Sequence, residues 1–422
     1  MLTNNHVALY DFVAAISEVA HIISTDLNNH NKETAYISWR IAQKMGLVND
    51  EMRDVVMASM LHDIGAFSIE ERSMIIQHEC AFIHGEEHFD VNHHAVVGYN
   101  LLKDFTPLAN VAQIIRYHHT DYDPSNDDIP ICSYIIRLAD RVSLLFDKSR
   151  EALEQVPDLR KRLAGMSKQF HPMVHEALEG LTQQITFWIE AFLVPINIHN
   201  FKTIRFSNEI ADTTMLNHFS KMVSQIIDFR NPFTATHSGG VATIASELAA
   251  LFGFSKNECH KIGMSGLLHD LGKLSVPSEI LDKEGPLTDN EYNIIRKHPY
   301  YTFNVLNKIK GFEEIAVWAS YHHERLDGSG YPFNVTGAEY PLLSRILAVA
   351  DIMTALSEDR PYRKGMEYEE VKRTMNDMAK KNILDSGVVK ILMANYSHIN
   401  ALRMKAQNEK RIEYDAFYKS TH

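Results

Sequence analysis

A chain that carries one ladder of histidines and aspartates twice has few folds open to it, because each copy must close around its own inward-facing set. His30, His62-Asp63, His94, His118-His119 and Asp140 recur as His237, His269-Asp270, His298, His322-His323 and Asp351. The first two steps are offset by 207 residues, and the steps at His94 and His118 by 204. Gly46 and Gly253 also lie 207 apart, each after an apolar stretch where a helix-ending glycine belongs. Phe12 and Phe219 each precede the first histidine of their copy by 18 residues. A chain with 23 histidines matches single positions by accident, but not a whole ordered ladder.

The local pattern is helical. After His237, the residues Val241, Ile244, Ala245, Leu248 and Leu251 follow the spacing of one helix face. Ser255 with Glu258, and Thr288 with Glu291, have the form of capping boxes that open helices. Alternation at strand length is scarce. The expectation is an all-α protein: one helical domain over 1–150, a helical connector over 151–212, and a second domain over 213–422 ending in a helical tail. The apolar segment from Ile185 to Val194 carries Glu190 and ends at Pro195, so it reads as a buried helix and not a membrane span.

Charge and cysteine content narrow the function. A formal net charge of −12 argues against a broad face for polymeric nucleic acid, so an anionic substrate must be held by local cations or metal. Cys80, Cys132 and Cys259 form no C-x-x-C pair, which fits a reducing, cytoplasmic setting and argues against a thiolate metal site or a disulfide framework. No basic-then-apolar leader pattern is present at Met1–Asn4.

The second ladder consists of imidazoles and carboxylates, the donors that hard or borderline divalent metals prefer. Its seven side chains are too many for one ion with an open position, but suit two. A natural division gives His237, His269 and Asp351 to one ion and His298, His322 and His323 to the other, with Asp270 shared. Such a pair can lower the pKa of a bridging water towards roughly 7 and offset charge on a phosphoryl group. Lys273, in HDLGK, stands where it can meet a substrate phosphate or a departing alkoxide. Arg360 and Arg363 follow Asp351 by nine and twelve residues and suit phosphate or guanine contact. Each is also an ordinary surface residue when read alone, as HHERLDGSGYP is an ordinary glycine–proline loop.

HDLGK at 269–273, HHERLDGSGYP at 322–332 and VAD at 349–351, in that order, resemble the HD-GYP branch of the HD superfamily of bacterial phosphodiesterases. The resemblance implies two HD-superfamily helical domains in tandem and hydrolysis of a 3′,5′-cyclic dinucleotide, cyclic GMP-AMP or cyclic di-GMP, with iron or manganese. It implies that His237, His269, Asp270, His298, His322, His323 and Asp351 are metal ligands, that Asp270 and Lys273 are catalytic, and that Lys273, Arg360 and Arg363 contact substrate. Members with three metals carry a Glu four residues before the first histidine. Phe233 stands there, so two metals are expected. Thr354 replaces an Asp of many cyclic di-GMP members, which leaves the second base open.

The first copy keeps all its ligand-type residues, His30, His62, Asp63, His94, His118, His119 and Asp140. Yet Ala66 replaces the lysine, Thr120 replaces the Glu after the paired histidines, and 121–130 has no GYP loop. Two readings stay open: a second metal site releasing a terminal phosphate as a 5′-nucleotidase, or a regulatory or dimerising domain. For the whole chain the competing classes are a hydrolase of other nucleotides and a non-catalytic scaffold. Expected partners are the cyclic dinucleotide and, left open, a second copy of the chain or a cyclase, with no membrane.

Overall fold

The computed structural model describes residues 9–23, 29–66, 71–75, 90–196, 201, 204, 213–230, 234–359 and 364–421. Among them there is no strand, as the helical periodicity requires. The chain divides into two compact units, Ala8–Glu209 and Ile210–Ser420. Among the described residues no helix is long and apolar enough to cross a membrane.

In the first unit the helices are α1 (Leu9–Ile23), α2 (His30–Met45), α3 (Asn49–Leu61), α4 (Asn92–Leu102), α5 (Ala109–Arg116), α6 (Ile131–Leu145), α7 (Val156–Gly165), α8 (Pro172–Thr182) and α9 (Ile185–Phe192). The second unit contains α10 (Thr213–Asp228), α11 (His237–Leu251), α12 (Lys256–Leu268), α13 (Ser278–Leu281), α14 (Asp289–Ile295), α15 (His298–Leu306), α16 (Glu313–Ser320), α17 (Leu342–Ser357), α18 (Tyr368–Lys380), α19 (Ser386–Ala394) and α20 (Tyr396–Thr421).

The duplication in sequence is a duplication in packing. Helix α2 packs on α3 and α6, as α11 packs on α12 and α17. Helix α4 packs on α5 and α3 packs on both α1 and α5; α15 with α16, and α12 with α10 and α16, repeat this. Gly46 and Gly253 both adopt left-handed backbone, with φ of 78° and 82°. In each, the next residue's N–H reaches back to close the helix: Leu47 to the Ala42 carbonyl at 3.0 Å, Phe254 to that of Ala249 at 3.1 Å. Phe12 and Phe219 are buried in equivalent places.

Val241, Ile244, Ala245 and Leu248 face the core of the second unit with Ile346, Leu347 and Met353 of α17. Leu251, expected on the same stripe, is 41% exposed because the helix ends there and Gly253 turns the chain away. The segment read as a connector folds with the first unit: α8 packs on α2 and α6, and α9 on α2 and α8. Helix α9 buries Phe187, Trp188 and Ala191, while Ile185 at its start and Leu193 and Val194 just past its end are exposed.

Candidate metal centre

Helix ends deliver the second ladder to one place. His237 opens α11, His269-Asp270 follows α12, His298 opens α15, His322-His323 follows α16, and Asp351 sits within α17. A histidine just past a helix end can turn its ring back on the last exposed carbonyls. His269 Nδ1 donates to the Gly266 carbonyl at 2.8 Å, and His322 Nδ1 to that of Ala319 at 2.6 Å. His298 Nδ1 likewise donates to the Ile295 carbonyl at 2.8 Å. With the proton fixed on Nδ1, each Nε2 is a bare lone pair.

These lone pairs converge. His298 Nε2 and His322 Nε2 lie 3.2 Å apart with no hydrogen to share. Asp270 Oδ1 lies 3.4 Å from His298 Nε2 and 3.9 Å from His322 Nε2, and this buried oxygen has no hydrogen-bond partner. Three facing lone pairs in a buried site repel one another unless a cation stands among them, so the donor set fits a metal. His237, His269 and Asp351 form one cluster able to hold an ion, and His298, His322 and His323 another. Asp270 spans the two, with Oδ2 3.4 Å from His269 Nε2 and Oδ1 turned to His298.

Burial holds His322 well below the usual imidazole range and His323 down at about 3, so both rings are neutral and ready as ligands at pH 7. For Asp270, burial opposes the charge, but His269 and Lys273 outweigh it and keep the carboxylate ionised. Lys273 Nζ donates to Asp270 Oδ2 at 2.7 Å. His237 goes the other way: burial opposes its charge, yet Glu358 and Asp351 raise it well above the ordinary value.

Two features of the sequence become intelligible here. A Cβ on Gly272 would sit 1.9 Å from the His298 carbonyl oxygen, and one on Gly65 2.1 Å from that of His94. Both copies therefore need glycine two residues after the aspartate. In the GYP loop, the buried Glu324 carboxylate accepts from the N–H groups of Phe333 at 2.7 Å, Asn334 at 3.2 Å and Val335 at 3.3 Å. Phe333 packs against Tyr300, Phe303 and Tyr321. The pinned loop lays the Tyr331 ring on that of His323, centroids 4.9 Å apart.

The first ladder also converges, in the clusters His94-His118-His119, His30-His62-Asp140 and His62-Asp63-His118. His62 Nδ1 donates to the Ser59 carbonyl at 2.8 Å and His118 Nδ1 to that of Ile115 at 2.7 Å. His119 differs. Arg137 Nη1 lies 3.3 Å from its Nδ1, and a guanidinium only donates, so the ring proton belongs on Nε2. That Nε2 lies 3.1 Å from His94 Nε2, where it makes an ordinary hydrogen bond. Burial lowers His62, but Asp63 and Asp140 outweigh it and bring it to about 9. Ala66, in the place of the lysine, is buried, and Arg72 donates to the Asp63 carbonyl at 3.1 Å instead.

Glu358 escaped the sequence reading. Its carboxylate meets His237 Nδ1 at 3.1 Å, while Asp351 meets Nε2 at 3.2 Å. The available signal was spacing: Glu358 follows Asp351 by seven residues, one residue past the end of α17. The first copy uses a relay, His30 Nδ1 to Ser143 Oγ at 3.0 Å and Ser143 to Glu33 at 2.9 Å. Thr354 is buried and its hydroxyl donates to the Ala350 carbonyl at 2.8 Å, so it is committed to its own helix. Arg360, Arg363, Phe233 and Cys80 lie outside the described residues.

Comparison with known proteins agrees with this layout. HD-domain family models match residues 28–145 and 221–388. The chain is 30% identical over 396 residues to 3′3′-cGAMP-specific phosphodiesterase 1 of Vibrio cholerae, covering 90% of each chain. It is 35% identical over 164 residues to a cyclic di-GMP phosphodiesterase of Pseudomonas aeruginosa, covering 38% of this chain and 40% of that one. A crystal structure of a cyclic GMP-AMP-specific phosphodiesterase of V. cholerae has the same fold, with TM-score 0.62 at 22% identity, over 95% of this chain and 98% of that one. Two helical units with one convergent histidine–aspartate set each, matched along nearly their whole length, place the chain in the HD-GYP family of cyclic dinucleotide phosphodiesterases, with two HD domains in tandem.

Proposed function

We propose that residues 213–422 hydrolyse one 3′,5′-phosphodiester bond of a cyclic dinucleotide to give the linear dinucleotide, using two divalent ions, iron or manganese. The observation that carries this is the His298–His322 contact, two bare nitrogens 3.2 Å apart beside an unpartnered carboxylate oxygen of Asp270. His237, His269 and Asp351 would hold one ion and His298, His322 and His323 the other, with Asp270 shared between them. Bound there, the ions supply Lewis acidity to the phosphoryl oxygens and acidify water.

The chain's own groups do the rest. Glu358 orients the His237 ring through Nδ1, and the backbone carbonyls orient His269, His298 and His322. Lys273, held beside Asp270 yet 30% exposed, faces the open side, where its ammonium supports charge on the departing oxygen. Arg360 and Arg363 are the further candidates for substrate contact. The relative aligned along nine tenths of both chains is named as 3′3′-cGAMP-specific, which favours cyclic GMP-AMP over cyclic di-GMP.

For the first unit, Arg137 supports a regulatory reading, because it ties the His119 proton to the face a second ion would need. Phosphate release from the linear product, lost in Asp63→Ala, would reverse that assignment in favour of a nucleotidase. The test of the main reading is a product assay on both cyclic dinucleotides, side by side, under reducing conditions with iron or manganese. The expected result is an opened dinucleotide, abolished by a chelator and restored by metal. No opening of either compound with either metal overturns the reading.

A further inference from the structure

We propose that Tyr292, Arg296 and Tyr331 form the base-recognition face of the second unit, with Arg296 reading the O6/N7 edge of a guanine. The inference deepens the proposed function and rests on it. Tyr331 begins the series at the metal cluster, its ring tilted 34° against that of His323. The Arg296 guanidinium comes next, its central carbon 5.1 Å from the Tyr331 ring centroid and 5.7 Å from that of Tyr292. Tyr292 closes the series, edge-on to Tyr331 with centroids 6.3 Å apart and 44% exposed.

What makes this array more than packing is the state of the arginine. A guanidinium carries five N–H donors in a planar fork. Among the described residues, that of Arg296 has no carboxylate within ion-pair reach and donates no hydrogen bond. By contrast Arg230, Arg345 and Arg403 of the same unit all donate to protein oxygens. Arg296 is thus braced by two aromatic rings, half-buried, two residues before the ligand His298, with its donors uncommitted. A braced fork of that kind takes a partner with two adjacent acceptors in one plane.

A guanine edge and a phosphate both have such acceptors. The flanking rings decide between them, because a base has a face to stack on tyrosine and a phosphate has none. The distance agrees: Arg296 lies two ring spacings out from His323, of the order of the span from a nucleotide's phosphate to the far edge of its base. Adenine presents an amino donor where guanine has O6, so the fork rejects it.

The test compares Arg296→Ala with the wild-type full chain on cyclic GMP-AMP, cyclic di-GMP and cyclic di-AMP. KM is read for substrates and Ki for any compound turned over too slowly, with bound metal measured alongside. The expected result is a rise of about ten- to a hundredfold for the two guanine compounds, little change for cyclic di-AMP, and unchanged metal. Arg296→Lys is expected not to rescue, since the fork geometry is lost. Tyr292→Ala is expected to weaken all three compounds alike, as stacking does. An equal rise for all three in Arg296→Ala would assign the residue to a phosphate, and no rise to neither; both overturn the inference. Failure of the wild type to open any cyclic dinucleotide would instead bring down the proposed function.

Discussion

The two units present the same seven ligand-type side chains at corresponding places on their helices, and differ in what surrounds them. In the first, all seven are buried. In the second, His323 is half-buried and Lys273 reaches solvent, so the cage has an open side. The second unit also has Glu324 pinning a loop over that side, where the first has Thr120. The sharpest difference is one guanidinium. Arg137 stands on α6 three residues before Asp140; on α17 the residue three before Asp351 is Ala348. The two ladders thus share their ligand atoms, and what sets them apart is the guanidinium beside the far nitrogen of one ring, His119.

That comparison can be broken most directly at the paired aspartates. Asp270→Ala removes the oxygens that span both clusters, and is expected to lower cyclic dinucleotide hydrolysis by about a thousandfold or more, with loss of bound metal. Asp63→Ala in the first unit is expected to leave the same rate within about twofold, since Asp63 belongs to the first unit's own cluster and not to the set that would hold the catalytic ions. Steady-state rates with metal analysis of both variants check the pair. Equal losses would mean that the first unit takes part in the main reaction. Lys273→Ala comes next: roughly ten- to a hundredfold in kcat, with metal content intact, because the role proposed for it is to support charge on the departing oxygen and not to hold an ion.

Much of this was legible in the sequence, and the reasons are local. The ladder, Gly46 and Gly253, and the Ser255–Glu258 and Thr288–Glu291 boxes are set by residues a few positions apart, and all form as read. The convergence of the histidine–aspartate set was read from the chemistry of its donors, imidazoles and carboxylates that suit shared ions, and from the repeated order of the ladder. What stayed hidden depends on contacts distant in sequence. Gly65 and Gly272 matter only because the His94 and His298 backbones press on them. Glu358 matters because α17 faces α11. Docking of 172–192 on α2 is set by which face of each helix finds a partner, which periodicity leaves open. Arg137 reads as any helix arginine until His119 is placed beside it.

Arg137 supplies the next expected outcome. Arg137→Met keeps apolar bulk and removes the donor, so the His119 proton can move to Nδ1 and Nε2 becomes a bare lone pair facing His94. Metal bound per chain is expected to rise, with first-unit affinity tighter by roughly tenfold, the lower range for changes behind a ligand. Elemental analysis of Arg137→Met beside the wild type reads this. Unchanged stoichiometry would show that the missing lysine and the sealed surroundings, not the guanidinium, set the first unit apart.

The smallest effect sharpens the comparison at the helix starts. Val48 and Ser255 are 207 residues apart and stand at the N-caps of α3 and α12, the helices that carry the His-Asp pairs. In the second unit the box is complete: Ser255 N donates to Glu258 at 2.8 Å, and Glu258 N to Ser255 Oγ at 3.3 Å. In the first, Val48 N donates to Glu51 at 3.0 Å, but valine has no oxygen to return the bond. Val48 is 65% exposed, so replacing it sacrifices little apolar burial. Val48→Ser is expected to stabilise the first unit by about 0.5–1 kcal/mol, and Ser255→Ala to destabilise the second by about 1 kcal/mol. In a thermal melt each should move its own unit's transition by about 2–4 °C. If Val48→Ser moves nothing, helix α3 is already held by its packing on α2, and the cap contributes only where packing leaves the helix end free to fray.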